Sequence, residues 1–237
     1  MSWHNGPMVA FDTETTGTDP LEARVVSVCL ARCQAGATPQ VSSWLVDPGV
    51  EIPAEAAAVH GITTEIARRD GEPPAGVLET VAEELVATWR AGRPTVVMNA
   101  AYDLTVLECE LDRHGLASLG ERLAGEPMLV VDPLVIDRHV DRFRRGKKRL
   151  EDLCRVYGVV LEGAHSADGD ALATARVAWR MAERFPEQLG DDLEALQDLQ
   201  AAWHREWADH FEPWLRENVD ADAVIEREWP VRRVPVR

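Results

Sequence analysis

Alternating apolar and polar positions over the first fifty residues predict three β-strands joined by short links. The apolar runs lie at residues 8–11, 24–32 and 41–46, and the turn sequence Asp47-Pro48-Gly49 closes the third. Strands separated by so few residues pair most readily as an antiparallel meander. Two further β-prone runs lie at residues 95–98 and 128–131. The pattern therefore predicts a meander followed by two isolated strands.

Helical spacing of apolar residues dominates the rest of the chain. Predicted helices cover residues 63–69, 75–89, 102–114, 150–157 and 167–185. Gly115 and Gly158 end two of them, and Pro186 ends the last. Strands that come first and then alternate with helices indicate an α/β fold, in which helices flank a mixed five-stranded sheet.

The residues after Pro186 have a different character. Leucine, tryptophan and phenylalanine recur at helical spacing from Leu193 to Trp214, which predicts an amphipathic helix to about Arg216 and then an extended tail. We therefore divide the chain into a main domain, residues 1–188, and a C-terminal helical extension with its tail, residues 189–237. The helix either docks on the core of its own domain, which is the preferred interpretation, or forms a surface for a second copy or another partner.

Composition and charge narrow the class of protein. The 237 residues are 46% hydrophobic, enough for one good-sized core, and contain no apolar run of membrane-spanning length. The N-terminus lacks a signal-peptide pattern, and the four cysteines form no CxxC pair, which favours reduced thiols in a soluble cytoplasmic protein. The net charge of −16 argues against tight binding to long duplexes. Six of the eight residues 142–149 are nevertheless basic, a pattern typical of a solvated loop.

Candidate chemistry starts at the end of the first apolar run. On a strand, Asp12 and Glu14 would present two carboxylates on one face. Their mutual repulsion would be relieved by a divalent cation, and oxygen ligands suit Mg²⁺ or Mn²⁺. A solvated acidic turn is the alternative, because a lone Asp-x-Glu is common.

Two later segments add the groups that a metal-dependent hydrolase needs. Asp103 lies near the start of a predicted helix, where a carboxylate can also be a simple helix-dipole partner. His165 and Asp170 lie five residues apart at the start of the alanine-rich helix. Four carboxylates and one imidazole form the set required for two-metal phosphodiester hydrolysis.

These segments resemble the motifs of the DEDDh exonucleases, the DnaQ-like group on a ribonuclease-H-like fold. The first motif is matched by Asp12 and Glu14, the second by Asn99, Tyr102 and Asp103, and the third by His165 and Asp170. The resemblance covers residues 7–185 and implies 3′-to-5′ exonuclease activity. It implies that four carboxylates hold two Mg²⁺ or Mn²⁺ ions and that His165 is the general base. The residues expected to position the terminal nucleotide are Thr13, Thr15, Thr16, His60, Asn99 and Tyr102.

The expected substrate is a single-stranded nucleic acid with a free 3′ end, with DNA favoured over RNA and a role in proofreading or repair. An RNA exonuclease with the same site is one alternative. A proofreading subunit that works when docked on a DNA polymerase is another, and the C-terminal segment would then be the dock or a homodimer surface. A non-catalytic module on this fold is disfavoured because every motif position is present.

Overall fold

The computed structural model describes residues 2–161 and 166–233. At its centre lies a five-stranded sheet with the order β3-β2-β1-β4-β5. The strands are β1 Met8–Thr15, β2 Val25–Cys33, β3 Gln40–Leu45, β4 Thr95–Val96 and β5 Val130–Val131. The predicted meander is confirmed, because β1 and β3 each pair antiparallel with β2, whereas β4 pairs parallel with both β1 and β5.

The first strand is longer than its apolar run. Residues 12–15 are polar, yet they continue the ladder with β2, where Asp12 faces Cys29 and Glu14 faces Ser27. Pairing with β2 therefore keeps the acidic pair in β1, although their side chains are polar. The two later strands are shorter than predicted, two residues each.

Ten helices surround the sheet within the described ranges. They are α1 Ala54–His60, α2 Thr64–Asp70, α3 Pro74–Arg90, α4 Ala100–Arg113, α5 Leu119–Leu123, α6 Pro133–Val140, α7 Leu150–Tyr157, α8 Ala167–Arg184, α9 Pro186–Leu189 and α10 Leu193–Asn218. Four short helices, α1, α5, α6 and α9, were not predicted from the sequence, and none of them is longer than eight residues. Pro133 occupies the first turn of α6, where its missing N–H costs nothing.

Two apolar cores lie on opposite faces of the sheet, and β1 contributes alternately to both. Val9 and Phe11 face the core built with α3 and α4. Met8 and Ala10 face the core built with α7 and α8. This alternation sends Asp12 and Glu14 to the α8 face and Thr13 and Thr15 to the α4 face.

The C-terminal segment lies on the domain rather than apart from it. Helix α10 packs against α6 and β5, and its Leu196 and Gln200 are fully buried. The tail that follows has no helix or strand in its described residues, and its Trp229 packs into the core shared with α3 and α4. No helix in the described parts of the chain is both long and apolar enough to cross a membrane.

Candidate active site

Three carboxylates meet where the end of β1 passes the start of α8. Asp12 and Glu14 lie on the strand, and Asp170 lies in the first turn of the helix. One oxygen from each lies within 4.8 Å of the other two. Helix α8 approaches closely because its inner face carries alanines, and Ala171 is fully buried there. The arrangement brings residues more than 150 positions apart into one acidic cluster.

Asp103 reaches the same end of β1 from the opposite face of the sheet. Its carboxylate Oδ1 accepts a hydrogen bond from the Thr13 backbone N–H at 3.1 Å and another from the Thr13 hydroxyl at 2.6 Å. Asp103 is only 5% exposed and lies in the first turn of α4. Two bonds from a single strand residue therefore fix the direction of this carboxylate.

Burial and neighbouring negative charges both raise the pKa values of these carboxylates. Burial raises the pKa of Glu14 to about 7, and the charges of Asp170 and Asp103 add to the shift. The pKa of Asp12 is raised well above its ordinary value by burial and then by Asp103, Asp170 and Glu14. Burial also raises the pKa of Asp103 to about 7, although the Thr13 hydrogen bonds oppose that shift.

This cluster fits a divalent metal. Carboxylate oxygens are the ligands that Mg²⁺ and Mn²⁺ prefer, and mutual repulsion among half-buried carboxylates is what a bound cation would relieve. Asp12, Glu14 and Asp170 converge closely enough for one ion. Asp103 lies near enough for its charge to act on both β1 carboxylates, so it could complete a second site.

Residues expected to position substrate surround the end of β1. The Tyr102 hydroxyl donates to the Gly17 carbonyl and lies 2.5 Å from the Thr15 hydroxyl. The Thr15 hydroxyl also contacts the Gly17 carbonyl, at 2.9 Å. Helix α4 is thereby tied to the loop after β1, and the Tyr102 ring is held beside the carboxylates.

Thr16 and His60 complete that rim. The Thr16 hydroxyl accepts the Arg24 N–H at 2.9 Å, which anchors the loop between β1 and β2. His60 is the last residue of α1, and its Nδ1 accepts the Ile62 N–H at 3.1 Å. Burial lowers the pKa of His60, and hydrogen bonding to the Thr15 backbone opposes that shift. His60 is therefore placed next to the strand that carries the acidic pair.

Asn99 precedes α4 in the left-handed region, with φ 64°, a conformation that asparagine tolerates better than most residues. Its backbone N–H donates to Asp132 Oδ1 at 3.0 Å. The sequence analysis missed Asp132, although an aspartate directly before Pro133 is a typical start of a helix. His165, the expected general base, lies outside the described residues.

Comparison with known proteins agrees with this geometry. A family model for exonucleases of the RNase T type matches residues 9–178, more than half of the chain. DNA polymerase III PolC-type of Listeria welshimeri is 26% identical over 172 residues, which are 72% of this chain and 11% of that protein. The PolC-type protein of Halalkalibacterium halodurans is 28% identical over 192 residues, 78% of this chain and 12% of the relative. This chain therefore spans only about a tenth of these relatives.

Solved structures share the fold at lower identity. Escherichia coli Exonuclease I in complex with a dT13 oligonucleotide superposes with a TM-score of 0.65 at 20% identity, over 77% of this chain and 42% of that one. Exonuclease I from Methylocaldum szegediense gives a TM-score of 0.62 at 23% identity, over 77% of this chain and 41% of that one. The mixed sheet with flanking helices is thus the ribonuclease-H-like fold. Since the family model covers residues 9–178, which include the four carboxylates of the site, the chain belongs to the RNase T family of exonucleases, the divalent-metal-dependent, DnaQ-like DEDDh group.

Proposed function

We propose that this chain is a 3′-to-5′ exonuclease that hydrolyses the last phosphodiester of single-stranded DNA and releases nucleoside 5′-monophosphates. The observation that carries the proposal is the meeting of Asp12, Glu14 and Asp170 within 4.8 Å, with Asp103 buried beside them. Such a concentration of carboxylates destabilises the protein unless it serves to hold cations.

In this proposal Asp12, Glu14, Asp103 and Asp170 would hold two divalent ions. Bound Mg²⁺ or Mn²⁺ would supply Lewis acidity, which lowers the pKa of a water molecule and stabilises the negative charge on the departing 3′-oxygen. His165 accepts the proton of the attacking water, and its place five residues before Asp170 keeps the base and the ligand on one segment. The product leaves with its phosphate on the 5′-oxygen.

The rim residues hold the terminal nucleotide. Tyr102 is suited to packing against a base or sugar because its hydroxyl is already bonded to the protein, so that its ring is held in one place. Polar groups of Thr13, Thr15, Thr16, His60 and Asn99 surround the same end of β1 and complete the positioning surface.

Single-stranded DNA is the favoured substrate on two grounds. The Exonuclease I structures that share the fold were determined with dT13 and dA16 oligonucleotides. This chain also concentrates positive charge in residues 142–149, where Phe143 is 90% exposed, and an aromatic ring among cations suits an unpaired strand. An RNA exonuclease with the same carboxylates is the alternative.

Proofreading is a second candidate role, favoured by the PolC-type relatives, whose name places them with DNA polymerases. The outer face of α10 offers a surface for a polymerase subunit or a second copy. Along it Phe211 stacks between Trp207 and Trp214, with ring centroids 5.4 Å apart in each pair, and Trp214 is half exposed.

A turnover comparison tests the function directly. Matched 3′-labelled single-stranded DNA, single-stranded RNA, mismatched duplex ends and paired duplex ends are offered in Mg²⁺ and in Mn²⁺. We expect single-stranded DNA to be degraded fastest and the mismatched end faster than a paired one. Asp12→Ala and His165→Ala should abolish turnover and keep the wild-type circular-dichroism spectrum, with the base alone contributing about 10²- to 10⁴-fold. Near-normal hydrolysis by either variant would contradict the mechanism, and a strong RNA preference would replace the substrate.

A further inference from the structure

Side-chain amides cover the edge of the sheet at β5. Strand β5 is one of the two edge strands, and the backbone groups on its outer side would otherwise pair with a further strand or with water. Instead, the Val130 N–H donates to Gln197 Oε1 at 3.0 Å, and Gln200 Nε2 donates to the Val130 carbonyl at 2.8 Å. The Asp132 N–H donates to Gln200 Oε1 at 2.7 Å. Helix α10 therefore replaces the missing strand with two glutamine side chains.

The carboxylate of Asp132 lies at the end of this edge and joins two helix N-termini. It accepts the Asn99 N–H at 3.0 Å and the Ala100 N–H at 2.9 Å, where α4 begins. It also accepts the Leu134 N–H at 2.9 Å, in the first turn of α6. Trp229 of the C-terminal tail donates its indole N–H to the same carboxylate at 3.3 Å. Asp132 is only 1% exposed and lies among these donors.

Asp103 lies close to the part of α4 that the Asp132 carboxylate holds. Asp103 follows Ala100 by three residues, less than one helical turn, so the place where α4 starts sets the place from which Asp103 projects. Thr13 then orients the carboxylate from the β1 side. The tail also contacts α4 beyond Asp103, where the Arg232 N–H donates to the Thr105 hydroxyl at 2.8 Å.

We propose that the C-terminal segment, residues 193–233, helps to position a metal-binding carboxylate of the nuclease. Asp132 is the positioning residue through which the segment acts. Gln200 and Trp229 hold Asp132, Asp132 holds the start of α4, and α4 places Asp103 for metal binding. The proposal rests on the metal-binding role given above to the carboxylate cluster. It predicts that changes more than 90 residues along the chain from Asp103 weaken metal affinity. The competing explanation is that Asp132 only stabilises the fold.

Asp132→Asn and Gln200→Leu test the proposal in the full-length protein. The first is nearly isosteric but turns an amide N–H₂ toward backbone donors, and the second removes both edge hydrogen bonds. Mn²⁺ binding is measured by titration with electron paramagnetic resonance detection of the free ion, alongside exonuclease turnover. We expect the Kd for Mn²⁺ to rise about 10- to 100-fold in Asp132→Asn, as for other residues that orient metal ligands, and less in Gln200→Leu. Amide hydrogen exchange at Asn99 and Ala100 should also become faster.

Ser118→Ala is the matched control. It removes the N-cap of α5, where the Ser118 hydroxyl accepts the Glu121 N–H at 3.1 Å, in a helix that packs on α3. It should lower the unfolding midpoint and leave Mn²⁺ affinity unchanged. Trp229→Phe, which keeps most of the ring but lacks the N–H donor, carries the test together with Gln200→Leu if Asp132→Asn does not fold.

Each outcome separates the proposals. Folded Asp132→Asn or Gln200→Leu protein with wild-type Mn²⁺ affinity and wild-type exchange at Asn99 and Ala100 would overturn the positioning role, while leaving the exonuclease function intact. A wild-type protein that neither binds Mn²⁺ nor degrades oligonucleotides would overturn the proposed function, and the positioning role with it.

Discussion

The two sides of the carboxylate cluster are built by different means. On the α8 side, Asp170 is brought to β1 by apolar packing, through alanines such as Ala171 that let the helix lie close to the strand. On the α4 side, Asp103 is placed by hydrogen bonds, from Thr13 directly and from Asp132 through the start of the helix. The difference predicts that a packing error disturbs the first side and the loss of a single donor or acceptor disturbs the second.

The largest effect is expected from overpacking the α8 side. Ala171→Leu inserts three carbons where the side chain is fully buried against the sheet, so α8 must move away from β1. We expect a loss of about 1–3 kcal/mol in the free energy of unfolding and a parallel loss of turnover, because Asp170 moves with the helix. Denaturant titration and oligonucleotide hydrolysis measure the two losses. Ala202→Leu, on the exposed face of α10, should change neither, and full activity in destabilised Ala171→Leu protein would argue against this view of the α8 side.

A smaller and more selective effect is expected on the α4 side. Thr13→Val keeps the shape of the side chain and suits a strand, but it removes the 2.6 Å hydroxyl bond to Asp103. We expect metal affinity and turnover to fall by roughly 10-fold, since an orienting bond is lost, whereas stability changes by about 1 kcal/mol. Calorimetric titration with Mn²⁺ and thermal melting distinguish the two quantities. If Ala171→Leu and Thr13→Val lost the same amounts of stability and of turnover, the two sides of the cluster would not differ in how they are built.

The same contrast explains what the sequence could predict. The sheet order of the meander, the long helices and the four carboxylates follow from local periodicity and motif spacing. The alanine-rich face of α8 is also visible in the sequence as a repeat of small residues. The Asp132 network is not, because it joins residues 99, 132, 200 and 229 through single hydrogen bonds without periodicity. The sequence also left two positions for α10, on its own domain or against a partner. An amphipathic pattern shows that a helix buries one face, but it does not show which surface that face contacts.

A third prediction concerns pH and uses the raised pKa values of the cluster. The pKa values of Glu14 and Asp103 are about 7 in the folded, metal-free protein and lower in the unfolded chain, so the folded state binds protons more tightly. Stability should therefore fall as pH rises from about 4.5 to about 7, and the full penalty should remain above that window. We therefore expect the melting midpoint of the metal-free protein to be lower at pH 8 than at pH 5.

Metal should reverse that loss. Melting curves at pH 5 and pH 8, each with chelator or with Mg²⁺, measure the effect, and the stabilisation by Mg²⁺ should be larger at pH 8. Glu14→Gln removes one of the repelling charges and should flatten the pH dependence in chelator. A metal-free protein that is more stable at pH 8 than at pH 5 would contradict the charge distribution assigned to the cluster.

The smallest effect is expected in the basic loop, residues 141–149, that precedes α7. Its cations fall into two groups, and the first group is used within the fold. Arg144 and Lys148 each donate to the buried carboxylate of Asp137 at 2.6 Å. Arg145 and Lys147 are exposed and form no ion pair with the described residues, so they are available to phosphates. The loop leads into α7, which packs on α8, so it lies on the α8 side of the cluster.

Replacing Arg145 and Lys147 should therefore weaken binding of single-stranded DNA and leave the hydrolysis step unchanged. For Arg145→Ala/Lys147→Ala we expect a several-fold higher KM on long single-stranded DNA and an unchanged kcat. The slope of log affinity against log salt should be shallower by roughly 1.4, since each phosphate contact to a single strand contributes about 0.7. Arg144→Ala is the matched comparison: it leaves part of the Asp137 charge uncompensated and should lower the melting midpoint instead. If both variants altered only stability, the loop would be a structural element of the α8 side, and the strand would have to run over the α4 side, past Tyr102.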